Sequence, residues 1–394
     1  MSVVTGRLTA PGRARLAAVR TKTKSKPAAI SEARPSAFVL LVATVAVLNV
    51  VGVVMVLSAS SVASLTNYGS AWYFFQRQVI WTLLGAGAFA LCAHVDYRTW
   101  RKHVTPMLVV SVGLLLLVLV PGIGTEVSGS RRWLGAGALR FQPTELAKIA
   151  LLIFACDVVA RRQKELHDWT RVLRPVLIVL VIIGVPVLLE PDLDSTIVLG
   201  LIAVTVLIVG GVRLRHLAVL GSITAVVGTL VAVAEPYRRA RITAFLHPWS
   251  DASDAGYQVS QSLIALGSGG WTGVGLGAGR AKWLFLPNAH TDFIFAIIGE
   301  EVGLVGCLLV LGLFVAFAVL GTRIALRAED RFGMLLASGV TVWVVGQAAI
   351  NIGGVVGALP VAGIPLPFVS FGGSALVFTM AATGMLASVA RRAS

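Results

Sequence analysis

The sequence predicts an all-α polytopic membrane protein of about ten transmembrane helices, with both termini in the cytoplasm and a long ordered outer loop between spans seven and eight. Three observations predict it. First, the 394 residues are 57% hydrophobic and only 13% charged, with a mean hydropathy of +0.87. That is too few charges to solvate a globular exterior, which excludes a soluble multidomain protein. Second, apolar runs of spanning length recur from residue 37 onward. Third, with the N-terminal tail inside, 23 of the 33 Lys and Arg fall in cytoplasmic segments and 8 in outer ones, while Arg77 and Lys148 lie within spans. This asymmetry satisfies the positive-inside rule, so the net charge of +15 records orientation. No nucleic acid is implied, because the basic residues are scattered over short loops and form no single face.

Residues 1–36 hold eight basic residues, one acid and no apolar stretch. They read as a disordered basic cytoplasmic tail, not a cleavable signal peptide. Residues 37–394 read as one transmembrane domain with spans near 37–58, 74–94, 105–122, 144–160, 175–190, 194–211, 216–234, 293–321, 333–354 and 369–389. No inverted repeat of the kind that marks many transporters is evident. Cys92, Cys156 and Cys307 fall in or at apolar spans without a CxxC pattern, as buried small hydrophobes do.

Two outer segments stand apart: 123–143, and 235–292, a loop of nearly sixty residues rich in aromatics. From Gly256 to Leu266 apolar residues interleave with Gln258, Ser260, Gln261 and Ser262, which predicts a short amphipathic helix on the outer membrane face. The glycine run at 267–280 follows no strand and ends in no GK[ST], so it is not a nucleotide loop. Arg238, Arg239, Arg241, Arg280 and Lys282 make this loop basic against the topological trend. They suit a phosphate or pyrophosphate, with anionic lipid headgroups as the alternative.

Acids at a membrane need a partner or a job. Glu145 and Lys148 stand at i, i+3, where a structural ion pair is preferred to chemistry. In the turn EPDLD, Asp192 or Asp194 can cap the next helix, leaving Glu190 unexplained. Glu300 and Glu301 lie about two turns into the eighth span, with Lys148 or Arg77 as expected partners. Asp292 stands where the polar outer loop meets an apolar helix. Thr291 or Asp292 could be that helix's N-cap, but a half-buried carboxylate below a basic loop is also placed to act as a general base on a lipid-borne substrate. His290 could orient it or bind substrate, and a lone histidine makes a poor metal ligand.

GSRRWL at 129–134, QPTELAK at 142–148, EPDLDST at 190–196, GYQVSQSLIALGSGG at 256–270, LPNAHTDFIFAIIGEE at 286–301 and NIGGVVGALPVAGIPLPFVSFGGS at 351–374 resemble the SEDS family (shape, elongation, division and sporulation) of peptidoglycan glycosyltransferases. They resemble its division branch (FtsW-like) more than its elongation branch (RodA-like). Asp194 stands where Gly is common in the family, Phe371 where Tyr is, and Ala362 where some members have Lys. The resemblance implies polymerisation of lipid II at the outer face of the cytoplasmic membrane during division, with undecaprenyl pyrophosphate as leaving group. It also implies a class B penicillin-binding protein and other divisome membrane proteins as partners. The essential aspartate of the family falls on Asp292, and Trp133, Glu145 and Lys148 fall on motif positions.

The expected site thus has Asp292 as base on a sugar 4-hydroxyl. Its substrate-binding candidates are Arg132, Trp133, Arg241, Gln258, Gln261, Ser262, Arg280, Lys282 and His290, and its ion-pair candidates are Glu145, Lys148 and Glu300. Of these, Arg241, Arg280 and Lys282 are expected to face the departing pyrophosphate. No metal-ligand set is apparent, though a divalent cation (Mg or Mn) could share that role. The rival functions are a lipid II flippase and a divisome scaffold, both without bond chemistry.

Overall fold

The computed structural model describes residues 36–127, 130–135, 140–166, 168–213 and 256–392, with a few isolated positions between 215 and 249. The described residues form the helices α1 (Ala37–Tyr68), α2 (Tyr73–His94), α3 (Val104–Leu119), α4 (Pro143–Arg161), α5 (Arg174–Leu189), α6 (Leu193–Val209), α7 (Tyr257–Gly269), α8 (Ile294–Arg327), α9 (Arg331–Val355) and α10 (Ser374–Arg392). Six helical stretches are long and apolar enough to cross a membrane, those of α1, α3, α5, α8, α9 and α10. Most of the expected span 216–234, residues 1–35 of the basic tail and most of the loop 235–255 lie outside the described residues.

The remaining expected spans coincide with helices, with two informative differences. α1 continues past 58 to Tyr68 because no Gly or Pro falls between Val53 and Gly69, which caps it in the left-handed region at φ 72°. The last helix begins at Ser374, not at 369, because Pro365, Pro367 and the Gly372–Gly373 pair keep 356–373 out of helical conformation. One element was not expected: the outer segment after α3 forms a hairpin of β1 (Thr125–Val127) and β2 (Ser130–Trp133), paired antiparallel.

α4 is the central helix, packed by α3, α6 and α9. Fourteen of its nineteen residues are buried, Glu145 and Lys148 among them, so these two charges face protein and not lipid. α2 lies along α10, and α8 is held between α1 and α9. α3 and α5 instead present Val109, Leu116, Ile178 and Val181 outward, as lipid contact requires. Cys92, Cys156 and Cys307 are free and buried.

The expected amphipathic helix is α7, packed against α8. Beyond it the glycine run docks on a break in α8. Gly303, at φ 74° and ψ −164°, leaves helical geometry. The freed amides of Leu304 and Val305 donate to the carbonyls of Gly270 (2.9 Å) and Trp271 (3.2 Å), and the amides of Val274 and Gly275 donate to the carbonyls of Glu300 (2.9 Å) and Glu301 (3.0 Å). The two irregular backbones thus satisfy each other, as they must where lipid replaces water.

Candidate active site

Asp292 is half-buried in the turn that leads into α8. Three successive carbonyls there are pinned by the 351–374 region. The amide of Phe371 donates to His290 O at 3.0 Å, the Ser370 hydroxyl donates to Thr291 O at 2.5 Å, and Asn351 Nδ2 donates to Asp292 O at 2.8 Å. The same Asn351 nitrogen also donates to Ile364 O at 2.8 Å. The residue that caps α8 is Phe293, without a side-chain cap bond, so neither Thr291 nor Asp292 is the N-cap. His290 packs between Phe74 (centroids 4.5 Å) and Phe371 (5.8 Å). Burial pushes its pKa down to about 4, so the ring is neutral near pH 7 and acts as a dipole, not a cation.

A second wall is built from the hairpin and the turn between α5 and α6. Arg132 donates to Glu190 O at 3.0 Å and to Pro191 O, and its guanidinium lies 3.7 Å from Asp192. Asp192 caps α6 by accepting from the amide of Ser195 at 3.2 Å, and also accepts from Gln142 Nε2 at 2.9 Å. Asp194 makes no such cap; it accepts from the amide of Gly363 at 2.8 Å, and the amide of Gln142 donates to Ser374 Oγ at 3.2 Å. These bonds join the second wall to the region that pins Asp292.

Within this wall polar atoms are left over. Glu190 is 1% exposed and neither carboxyl oxygen has a partner at full hydrogen-bond geometry. Burial, reinforced by the charge of Asp192, pushes its pKa up to about 8 against the opposing pulls of Arg132 and the Thr144 hydroxyl. Glu145 and Lys148 pair at 2.8 Å, both buried, with the ammonium 5.6 Å over the Trp343 ring. Arg140 Nε, Thr144 Oγ1 and Glu145 Oε2 are buried without a partner. Beside Glu190 and Arg131 a cavity of about 310 Å³ opens between the hairpin and the ends of α3 and α5.

The structure corrects several expectations. Lys282 does not face a ligand: it is 5% exposed and bonds Glu301 at 3.0 Å, Gly277 O at 2.6 Å and Ser58 Oγ at 3.3 Å. Glu301 therefore pairs with Lys282, and Glu300 accepts from the amides of Arg280 (2.7 Å) and Ala281 (3.1 Å); neither meets Lys148 or Arg77. Ser262 is buried and donates to Val355 O at 2.7 Å, a contact between α7 and α9 and not a ligand contact. Gln258 and Gln261 are half-buried on α7, Trp133 is half-buried on β2, and Arg280 is exposed. Arg241 lies outside the described residues. Among the described residues no three His, Cys, Asp or Glu side chains converge as a metal-binding cluster.

Sequence reasoning passed over Asn351, Gln142 and Arg140. Asn351 and Gln142 open two of the quoted motifs, and a side-chain amide in an otherwise apolar helix is the signal that could have flagged Asn351.

Fold and site together define a polytopic helical membrane protein with a polar site gathered at one end of the bundle around an aspartate. The cell cycle protein family of FtsW, RodA and SpoVE matches residues 38–394, and the chain belongs to that family. It is 44% identical over 358 residues to the probable peptidoglycan glycosyltransferase FtsW of Mycobacterium tuberculosis, covering 90% of this chain and 68% of that protein. It is 40% identical over 354 residues to the protein of the same name from Geobacter metallireducens, covering 90% and 94%. A solved structure described as a peptidoglycan synthase complex coordinating polymerization and crosslinking superposes with a TM-score of 0.75 at 30% identity, covering 90% of this chain and 97% of that one. The rod shape determining protein RodA of Thermus thermophilus gives 0.65 at 29%, covering 89% and 95%.

Proposed function

We propose that this chain is a peptidoglycan glycosyltransferase that polymerises lipid II at the outer face of the bacterial cytoplasmic membrane, at the division septum. The observation that carries the reading is Asp292, whose backbone and two preceding carbonyls are held by Asn351, Ser370 and Phe371 beside a neutral His290. A carboxylate carried on a fixed backbone at the foot of an outer loop suits proton transfer in a glycosyl transfer. The GlcNAc 4-hydroxyl attacks the anomeric carbon of a MurNAc, and its proton passes to Asp292. The bond from that carbon to the pyrophosphate oxygen breaks, and undecaprenyl pyrophosphate leaves. Exposed Arg280, with Arg241 of the same loop, is suited to the departing charge; Lys282 is removed from that role by its pairing with Glu301.

Partnership with a class B penicillin-binding protein accords with the likeness to a synthase complex. The flippase reading drew on the buried acids Glu300 and Glu301, but both accept from local backbone amides or Lys282, which suits a structural role. Purified chain given lipid II, with and without its cognate transpeptidase, tests the proposal. Glycan product supports it. Translocation of labelled lipid II in liposomes with no glycan formed, with or without the transpeptidase, overturns it.

A further inference from the structure

The turn between α1 and α2 carries aromatic residues that the proposed chemistry leaves unused. Tyr68 closes α1, and Trp72, Tyr73, Phe74 and Phe75 follow across a three-residue link. Tyr68 and Tyr73 stack face to face, with centroids 3.6 Å apart and planes within 9°. The Arg77 guanidinium lies 4.0 Å over the Tyr73 ring, and because Tyr68 fills one face, Arg77 takes the other. The stacking order is Arg77, Tyr73, Tyr68. Tyr68 is therefore the outermost layer, at 50% exposure, with Trp72 nearby at 54%.

The cluster continues inward. Phe74 is edge-on to both tyrosines, 4.5 Å from His290 and 5.1 Å from Phe371, so the rings run into the segment that carries Asp292. Exposed Asn67, Ser70 and Gln76 set amide and hydroxyl groups around them. A membrane-interface belt also uses Tyr and Trp, but it needs neither mutual stacking nor connection to a site. A pre-stacked ring loses little freedom on binding. Its negative π face suits the polarised C–H groups of a pyranose, while neighbouring amides and hydroxyls suit the sugar's hydroxyls.

We propose that Tyr68 and Trp72 form a saccharide-stacking subsite for the growing glycan strand, adjoining the Asp292 site. The choice of saccharide rests on the glycosyltransferase reading, but the subsite does not depend on Asp292 being the base.

The test uses the full chain in nanodiscs of neutral phospholipid, with a lipid-free, uncrosslinked glycan fragment of alternating GlcNAc and MurNAc as probe. Tyr68→Ala is expected to weaken binding about tenfold, while Tyr68→Trp stays within about twofold of wild type. Asp292→Asn is expected to bind as wild type, so failure of the base assignment, seen as polymerisation by that variant, leaves this measurement standing. In polymerisation assays Tyr68→Ala and Trp72→Ala are expected to yield shorter strands. Absence of probe binding by the wild type, unchanged binding by Tyr68→Ala, or equal losses in Tyr68→Ala and Tyr68→Trp with lowered Tm would each overturn the proposal; the last outcome would make the ring a structural or interfacial anchor.

Discussion

Among the described residues lie two buried Lys–Glu pairs, and they differ in how completely their atoms are satisfied. In the Lys282–Glu301 pair the ammonium also meets Gly277 O and Ser58 Oγ, and the carboxylate also accepts from the Ser58 hydroxyl and the Gly277 amide. In the Glu145–Lys148 pair one carboxylate oxygen is orphaned, and orphaned atoms of Arg140, Thr144 and Glu190 occur in the adjoining segments. A closed network is scaffold, while an open one in a packed interior is where ligand atoms or ordered water complete the bonding. Charge and position alone suggested the reverse, a ligand for Lys282 and a structural role for Glu145 and Lys148.

The largest expected effect breaks the closed pair. Lys282→Met leaves Glu301 buried without its cation and costs about 3–5 kcal/mol, read as a collapse of Tm and of monodisperse yield, with Lys282→Met/Glu301→Met recovering most of it. Asn351→Ala releases the Asp292 carbonyl and is expected to lower kcat about a hundredfold with KM little changed, measured by steady-state polymerisation. Glu145→Gln/Lys148→Met removes the open pair without leaving a buried charge behind. It is expected to lower activity about tenfold with Tm nearly unchanged, and an equal fall in both would erase the distinction between the pairs.

The smallest effect concerns Glu190. Its pKa rises from 4.5 to about 8 in the folded protein, so the folded state holds an extra proton between those values. The stabilisation is fully present below the lower value and is lost as pH rises through the upper one. Thermal melts in nanodiscs should show Tm falling by about 2–4 °C between roughly pH 5 and 8, and Glu190→Gln should flatten that slope.

Helix positions were legible because lipid demands long apolar runs, and the charges of α4 lie near its ends. Family motifs made Asp292 legible as a candidate. The β1–β2 hairpin was not, since two polar strands of three and four residues carry no periodic signal. Nor were the partners of Glu300 and Glu301, because their contacts depend on the break at Gly303, which lets the glycine run dock on α8. Asn351 escaped because its work is done by one nitrogen that reaches two carbonyls remote in sequence.

The central claim is that Asp292 takes the proton of the attacking hydroxyl. Lipid II polymerisation by Asp292→Asn, in protein shown by its melting curve and transpeptidase binding to be folded, tests it most directly. The account predicts loss of glycan product by at least about a hundredfold with lipid II binding retained; product formed at near wild-type rate would contradict it.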